Sequence, residues 1–356
     1  MVGGQTYGET QLRTPAPMIT VLMSVYNSDP AQLRQAIDSI LAQTFTDFEF
    51  LICDDGSTGD GRTQQPARSE LLRQATRDSR IRLCWEPHRG LTKTLNRGLE
   101  LARGEWIARQ DADDWSDPER LQRQMERVRE NQHLVVLGSN AWMHREDGGR
   151  LWPTRLPESA AELRRAFANG NPFVHGSVLF RASAARMARG YREAFPCSQD
   201  YDFFWRLSEA GEVANLPMPL YHYRFTAGSV SVRRAEEQAQ AHLAAKILAA
   251  FRSQGVPEDV EQALAQASSQ LRWKSCAKSS VETGMRNGTG RNVGLDGHFR
   301  AALKQADHRL LAGDFSGALA EYFRLIRKHP ERPLGWGKAA RGLLFTACPP
   351  ARRACF

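Results

Sequence analysis

The feature that most constrains the fold is an alternation in the first 114 residues between apolar, β-branched runs and segments with helical spacing. Four runs are typical of β-strands: Ile19–Tyr26, Phe48–Cys53, Ile81–Trp85 and Glu105–Gln110. Leucine and isoleucine at helical spacing lie between these runs, and the connections are short. The alternation predicts an α/β fold with a mostly parallel central sheet covered by helices.

Three of these four strands end in polar or acidic residues. The groups are 24–27, 54–55 and 111–114, with the sequences SVYN, DD and DADD. In a parallel sheet, ligands bind beyond the carboxyl ends of the strands, and those ends lie on one rim. We therefore expect the three groups to meet there and to form the functional site.

The composition is that of a globular protein long enough for two compact domains. The chain has 356 residues, of which 41% are hydrophobic and 25% charged, which excludes a disordered chain, a collagen and a small disulfide-rich protein. No run approaches the ~18 apolar residues of a membrane-spanning helix. Residues 1–17 lack a secretory-signal pattern and are expected to form a flexible tail. The six cysteines include no C-x-x-C pair, so we expect buried, reduced thiols and a cytoplasmic protein.

The net charge of +8 comes entirely from the C-terminal third. Residues 1–233 hold 29 basic and 29 acidic side chains, whereas residues 234–356 hold 19 and 11. This C-terminal region has helical patterning, a Gly-rich stretch at 284–297 and, from Gly313, a segment like one tetratricopeptide-type unit. Its charge is consistent with peripheral contact with an anionic membrane or with a solvated arginine-rich face. We do not expect nucleic acid to be a partner.

The acidic groups are the candidates for chemistry. Asp111 and Asp113 form a D-x-D pair that can hold Mg²⁺ or Mn²⁺, which would neutralise a diphosphate leaving group. The alternative is a solvated acidic turn, in which Asp114 or Asp117 caps the next helix. The position of the pair at a strand end, beside a second acidic pair, favours the metal site.

Two further acidic motifs have both a functional and a structural interpretation. Asp54 and Asp55 can bind a base or ribose, or they can cap a turn. Asp200 and Asp202 precede an apolar helix, and a carboxylate there can be a general base or an N-cap. Spacing alone does not choose between these two roles. Tyr26 can stack on a base, although a single tyrosine at a strand end is more often a packing residue.

Six segments over residues 18–233 share their order and spacing with one known family. They are VLMSVYNSD from Val21, ICDDGSTGD from Ile52, RGLTKTLNRGLELARGEWIARQDADDWSDPERLQRQ from Arg89, HGSVLFR from His175, QDYDFFWRL from Gln199 and ANLPMPLYHYRFTAGSVS from Ala214. The chain thus resembles the family 2 glycosyltransferases of the GT-A type. The resemblance implies a GT-A, Rossmann-like nucleotide-sugar domain over 18–233, followed by the smaller helical region. Its nucleotide-binding half would be 18–124 and its acceptor half 125–233.

The resemblance also implies an activity and roles for individual residues. Such enzymes move a sugar from a nucleoside diphosphate sugar, here expected to be UDP-linked, to an acceptor hydroxyl, and they invert the anomeric centre. By similarity, the nucleotide would be held by Ser24, Tyr26, Asp54 and Asp55, one of these aspartates reading uracil. The diphosphate and its Mg²⁺ or Mn²⁺ would be held by Asp111, Asp113 and Arg224, with Asp113 as the direct metal ligand. Asp200 would be the catalytic base.

Two positions depart from the family pattern. Gln199 stands where the family usually has Glu, which is acceptable if Asp200 is the base. Thr226 stands where many members have a metal-binding His, so water would replace that ligand. His222 lies nearby, and we interpret it as a half-buried strand residue. His175 opens a segment near the acceptor side, where packing is favoured over substrate contact.

The expected acceptor is a glycan or glycolipid in polysaccharide or glycolipid synthesis, and the sequence does not identify the sugar. The expected protein is cytoplasmic, with peripheral contact at the inner face of the membrane. A nucleotidyltransferase is disfavoured, because SVYNSDP after the first strand lacks a glycine-rich basic loop. The other alternative is a non-catalytic protein that binds a sugar nucleotide or glycan and acts through its C-terminal helices.

Overall fold

A computed structural model describes residues 16–58, 66–225 and 234–281, with residues 321 and 324. It contains nine β-strands in one sheet. They are β1 (Ile19–Val25), β2 (Phe48–Asp55), β3 (Ile81–Glu86), β4 (Trp106–Asp111), β5 (Trp115–Ser116), β6 (Leu134–His144), β7 (Arg150–Pro153), β8 (Leu179–Arg181) and β9 (Glu212–Arg224). The predicted Gly-rich stretch at 284–297 and the helical unit from Gly313 lie outside the described segments.

Nine α-helices surround the sheet in the described segments. They are α1 (Pro30–Leu41), α2 (Pro66–Arg77), α3 (Leu91–Leu101), α4 (Arg120–Glu130), α5 (Ala160–Phe167), α6 (Ala182–Met187), α7 (Gln199–Ser208), α8 (Ala235–Ser253) and α9 (Val260–Val281). A short 3₁₀ turn, His175–Ser177, precedes β8. None of these helices is both long and apolar enough to cross a membrane.

The first four strands form the parallel sheet that the sequence predicts. The order across the sheet is β3-β2-β1-β4-β8-β6-β9-β5, and β7 pairs with β6. Strands β1, β2, β3 and β4 are mutually parallel. Ser24 of β1 lies opposite Cys53 and Asp111, and Val25 lies opposite Asp54. The three polar groups therefore lie on one rim, and the predicted α/β fold is confirmed.

The second half of the sheet is mixed, and its strands differ widely in length. Strand β8 runs antiparallel to both β4 and β6, whereas β6 and β9 are parallel. Strands β6 and β9 have 11 and 13 residues, whereas β8 has three. Pro217 and Pro219 interrupt the β9 pattern, since proline cannot donate to the ladder, and the β6–β9 register shifts at Ser139 to Ala141.

Two apolar cores cover the two faces of the sheet. One core buries the inner faces of α1, α2 and α4, and includes Val21 and Met23 of β1. The other buries α3, α5, α6, α7, α8 and part of α9, and includes Leu22. Neighbouring β1 residues enter opposite cores because successive side chains of a strand point to opposite faces.

The first helices of the basic C-terminal region pack directly on α7. The rings of Tyr201 and His242 stack with centroids 4.0 Å apart, and Ser198 Oγ donates to the carbonyl of Gln238 at 3.4 Å. Arg192, which precedes α7, forms an ion pair with Glu258 before α9. Helices α8 and α9 therefore support the element that carries the Asp200–Asp202 motif.

We predict that Asp202→Ala lowers the free energy of unfolding by about 3–5 kcal/mol. The Asp202 carboxylate is fully buried between the guanidinium groups of Arg192 and Arg206, and its removal leaves Arg206 without its counter-charge and Arg192 with Glu258 alone. Urea unfolding followed by circular dichroism measures the change. Glu130→Ala is the control, because that side chain is 67% exposed and its loss should cost at most about 0.5 kcal/mol. Equal stability of both variants would contradict the prediction.

Candidate active site

The Asp54 carboxylate is buried at the rim and only half satisfied. Its side chain is 1% exposed, and Oδ2 accepts a hydrogen bond from the Ser57 amide at 3.1 Å. Oδ1 is buried and has no hydrogen-bond partner among the described residues. Buried polar atoms nearly always have a partner, so this oxygen is an acceptor available to a ligand donor.

Asp55, the next residue, uses its carboxylate to hold the start of α3. Oδ1 accepts from the Arg89 amide at 2.8 Å and Oδ2 from the Gly90 amide at 3.0 Å. Oδ2 also lies 2.9 Å from His88 Nδ1. Gly56 has φ +71°, and a Cβ there would lie 2.4 Å from the His88 amide nitrogen. Asp55 therefore holds the loop residues that precede α3, whereas the turn cap of the alternative interpretation is made by Asp54 through the Ser57 amide. Nucleotide contact by Asp55 stays a prediction.

An exposed aromatic pair borders the same end of the sheet. The rings of Tyr26 and His88 stack with centroids 4.0 Å apart and an interplanar angle of 18°, and Tyr26 is 46% exposed. Asn27 holds this loop in place, because its amide donates to Ser57 Oγ and its Oδ1 accepts from the Thr58 amide, both at 2.9 Å. The pair offers a flat surface to a ring.

A buried arginine accompanies the D-x-D pair. The Arg109 side chain is 1% exposed and forms an ion pair with Asp111, whose side chain is 27% exposed. Arg109 Nε is buried without a hydrogen-bond partner among the described residues. The sequence analysis missed Arg109, although an arginine in the middle of a buried strand pattern is a signal that could have found it.

Burial and the negative charge of Asp111 raise the pKa of Asp113 to about 6. The two carboxylates are thus close enough to repel each other, and a bound divalent cation relieves such repulsion. This donor set of hard oxygens fits Mg²⁺ or Mn²⁺. In the described part of the chain, no cluster of three or more His, Cys, Asp or Glu forms a metal-binding group.

Asp114 binds the D-x-D loop to β9. Its Oδ2 accepts from the Tyr221 hydroxyl at 3.0 Å and its Oδ1 from the Arg224 amide at 2.7 Å. The Tyr221 oxygen in turn accepts from the Asp111 amide at 3.1 Å. Burial, followed by the charges of Asp113 and Asp111, raises the pKa of Asp114 well above its ordinary value. Asp114 is therefore not a helix cap, and Tyr221 is a second residue that the sequence analysis missed.

Arg224 lies against the backbone of the D-x-D loop. Its Nε donates to the Asp113 carbonyl at 3.0 Å, and its Nη2 donates to Gln35 Oε1 at 2.7 Å. The guanidinium lies 5.1 Å from the centre of the Trp115 ring, and the residue is 8% exposed. Arg224 thus positions the loop, and its predicted contact with a diphosphate stays a prediction.

His222 is the half-buried strand residue that the sequence predicts. Its Nδ1 lies 3.0 Å from His144 Nε2, and its ring stacks on Trp115. Burial and the neighbouring His144 lower the pKa of His222 to about 4. Thr226, the departure from the metal-binding His, lies outside the described segments.

The structure gives Asp200 and Asp202 different environments. Asp202 is fully buried in its two ion pairs, whereas Asp200 is partly exposed in the first turn of α7. The carboxylate of Asp200 accepts a hydrogen bond from Asn171 Nδ2 at 2.7 Å. Gln199, beside it, is buried. Of the two, Asp200 is the carboxylate that a second substrate can reach.

His175 connects Asp200 with the D-x-D pair. Burial and the charge of Arg109 lower the pKa of His175, and the charges of Asp200 and Asp111 act in the opposite direction. Both carboxylates are therefore within electrostatic range of one side chain. His175 Nε2 lies 3.1 Å from the Tyr191 hydroxyl, so this ring nitrogen has a hydrogen-bond partner within the protein. We refer to the region between the D-x-D pair and Asp200, where His175 lies, as the candidate cleft.

Comparisons with known proteins identify the family of this chain. The family model described as Glycosyl transferase family 2 matches residues 20–190. EpsE of Bacillus subtilis is 35% identical over 214 residues, which cover 58% of this chain and 73% of EpsE. The amylovoran biosynthesis glycosyltransferase AmsE of Erwinia amylovora is 32% identical over 223 residues, 61% of this chain and 80% of AmsE. The chain belongs to glycosyl transferase family 2.

Solved structures share the GT-A fold of this chain. S. aureus TarS 1–349 in complex with UDP-GlcNAc has a TM-score of 0.52 at 17% identity, covering 91% of this chain and 88% of that one. The mannosyltransferase PcManGT from Pyrobaculum calidifontis, in complex with GDP-Man and Mn²⁺, has a TM-score of 0.50 at 16% identity, covering 88% of each chain. The fold and the family together define a glycosyltransferase.

We predict that Asp113→Asn stabilises the protein at pH 8 by about 1–3 kcal/mol. Because the folded-state pKa of Asp113, about 6, exceeds its unfolded value of about 4, the charged carboxylate opposes folding above pH 6. The neutral amide removes that cost, and its advantage should fade as the pH falls from 6 to 4. Urea unfolding in metal-free buffer at several pH values measures the difference. Glu100→Gln, at a 66% exposed side chain, is the control, and a destabilised Asp113→Asn would contradict the prediction.

Proposed function

We propose that this chain is an inverting glycosyltransferase that moves a sugar from a UDP-sugar to an acceptor hydroxyl of a glycan or glycolipid. The observation that carries the proposal is that His175 lies within electrostatic range of both Asp111 and Asp200. The pair is suited to a departing diphosphate and Asp200 to an incoming hydroxyl. An inverting transfer is a single in-line displacement, which needs these two functions and no covalent nucleophile.

Asp54 is the carboxylate best suited to read the nucleobase. Its unpartnered Oδ1 accepts one hydrogen bond from a ligand, which matches the single imide N–H of uracil, whereas the oxygens of Asp55 hold α3. Tyr26, with its ring exposed, stacks on the base, and Ser24 contacts the nucleotide. The UDP-GlcNAc bound to TarS supports a UDP-linked donor, and the GDP-Man bound to PcManGT makes GDP the next candidate.

Asp111 and Asp113 hold Mg²⁺ or Mn²⁺, with Asp113 as the direct ligand. The bound cation supplies charge neutralisation to the diphosphate leaving group. Arg109 keeps a positive charge beside Asp111 and so limits the repulsion between the carboxylates. The Mn²⁺ in PcManGT supports this assignment. Arg224 holds the loop through the Asp113 carbonyl, and its predicted partner is the diphosphate.

Asp200 is the general base, and its carboxylate takes the proton of the acceptor hydroxyl as the new glycosidic bond forms. The name of AmsE supports a role in polysaccharide biosynthesis. The basic C-terminal region then keeps the enzyme at the cytoplasmic face of the membrane, near a lipid-linked acceptor.

UDP should bind in the presence of Mn²⁺ and lose at least about tenfold in affinity with EDTA or on Asp113→Ala. Isothermal titration calorimetry measures both effects. Asp54→Ala should also weaken UDP binding by about tenfold, because the base loses a hydrogen bond to a charged group. Glu100→Gln, outside the cleft, should leave the affinity unchanged. Binding unaffected by EDTA would refute the metal site.

Asp200→Asn should lower UDP release from UDP-sugars by about 10²–10⁴-fold, because the amide cannot accept the proton. Its UDP affinity in Mn²⁺ should match that of the wild type. Glu193→Gln, at an exposed side chain on the segment before α7, is the matched control. Wild-type protein that binds UDP but turns over none of UDP-glucose, UDP-galactose and UDP-GlcNAc, with or without added glycan or lipid acceptors, would favour the non-catalytic alternative.

Sedimentation with vesicles containing anionic lipid tests the membrane contact. The full-length chain should bind at low salt and dissociate as the salt concentration rises, because screening weakens charge attraction. Vesicles of neutral lipid are the control. Absence of binding at low salt would remove the membrane contact from the proposal without affecting the transferase site.

A further inference from the structure

We propose that Asn171 positions the catalytic carboxylate of Asp200. This inference rests on the proposed function, since it concerns how the base is held. Asn171 Nδ2 donates to Asp200 Oδ2 at 2.7 Å. At its other end, Asn171 Oδ1 accepts from the Phe173 amide at 3.1 Å. That second bond fixes which end of the amide faces the aspartate, so the donor is always turned toward the carboxylate.

The loop that carries Asn171 is anchored on both sides. Pro172 follows it and restricts the backbone of Asn171, and the Pro172 carbonyl accepts from Asn215 Nδ2 of β9 at 3.0 Å. Phe173 is 5% exposed and packs edge-on against Phe204 of α7, with ring centroids 5.4 Å apart. The donor therefore sits on a segment fixed to the sheet and to the helix of its acceptor.

The acceptor side of the hydrogen bond is equally restrained. Ser198 and Tyr201 hold the start of helix α7 through their contacts with α8. The buried ion pairs of Asp202 restrain the same first turn. The Tyr201 hydroxyl also donates to the Phe167 carbonyl. A short hydrogen bond between two restrained elements selects one rotamer of the Asp200 side chain.

The two carboxylate oxygens of Asp200 have different partners. Asn171 occupies Oδ2, and none of the residues that the structure describes donates a hydrogen bond to Oδ1. The free oxygen is therefore presented in one orientation to the acceptor hydroxyl, and a misplacement of about 1 Å can cost ~10²-fold in rate. Asn171 acts through Asp200 and is a positioning residue.

The test compares Asn171→Ala, Asn171→Asp and the control Asn169→Ala in the full chain. Asn169 lies two residues earlier on the same loop and its side chain is exposed. The readout is UDP release, with water as the acceptor, from whichever of UDP-glucose, UDP-galactose and UDP-GlcNAc turns over fastest. Asn171→Ala should lower kcat about 10–100-fold and change KM and the UDP Kd by less than twofold. Asn169→Ala should resemble the wild type.

Asn171→Asp distinguishes positioning from a general structural role. It keeps the shape and the acceptor for the Phe173 amide, so the loop retains its anchor, but it places a second carboxylate against Asp200. Two adjacent carboxylates hold one proton more tightly, so the acid limb of the kcat–pH profile should move up by at least one pH unit. A structural lesion would lower kcat equally at every pH.

These results distinguish failure of the positioning role of Asn171 from failure of the proposed function. If Asp200→Asn is inactive while Asn171→Ala keeps the wild-type kcat, or loses kcat and UDP affinity together, the positioning role is overturned and the proposed function stands. An unshifted Asn171→Asp profile overturns the role as well. If Asp200→Asn retains full activity, or the wild type turns over no UDP-sugar, the proposed function fails and the role of Asn171 fails with it.

Discussion

The cleft depends on one buried carboxylate. Asp114 accepts from the Tyr221 hydroxyl and the Arg224 amide, and so joins the end of β4, in the parallel half of the sheet, to β9, in the mixed half. Gly176 allows this contact, because a Cβ there would lie 2.0 Å from the Tyr221 oxygen. Because a buried carboxylate without partners is very costly, these hydrogen bonds hold the two halves of the sheet in one position relative to each other. That relative position determines where the D-x-D pair lies with respect to Asp200 of α7.

The second constraint is the anchoring of α7. Its buried face enters the same core as α8, and its ion pairs extend through Arg192 and Glu258 to the start of α9. The described part of the C-terminal region therefore supports the catalytic side of the cleft as well as adding positive charge to the chain. The net charge alone indicated only a surface role for this region. The packing adds a structural role, because α8 contacts α7, the helix that carries Asp200.

Much of the fold was predictable because its signal is local. The first four strands, their parallel order and the rim of acidic residues follow from strand–helix alternation, which short segments of sequence show directly. The second half was harder, because Pro217 and Pro219 interrupt the long strand β9 and because β8 is a three-residue strand. Arg109 and Tyr221 were missed for a related reason. Their importance comes from residues distant in sequence or from burial, and neither leaves a periodic pattern.

Sequence alone determined the residue types that carry the chemistry: the D-x-D pair, the adjacent aspartates at the end of β2 and, by resemblance to the family, Asp200 of α7. Only the tertiary structure decided how the members of the last two aspartate pairs differ in their partners. Asp55 holds the residues that precede α3, and Asp54 keeps a buried oxygen without a partner among the described residues. Asp202 forms ion pairs with two arginines, whereas Asp200 accepts a hydrogen bond from Asn171. Neighbouring carboxylates look alike in sequence, and they differ in function because burial and partners come from segments far away along the chain.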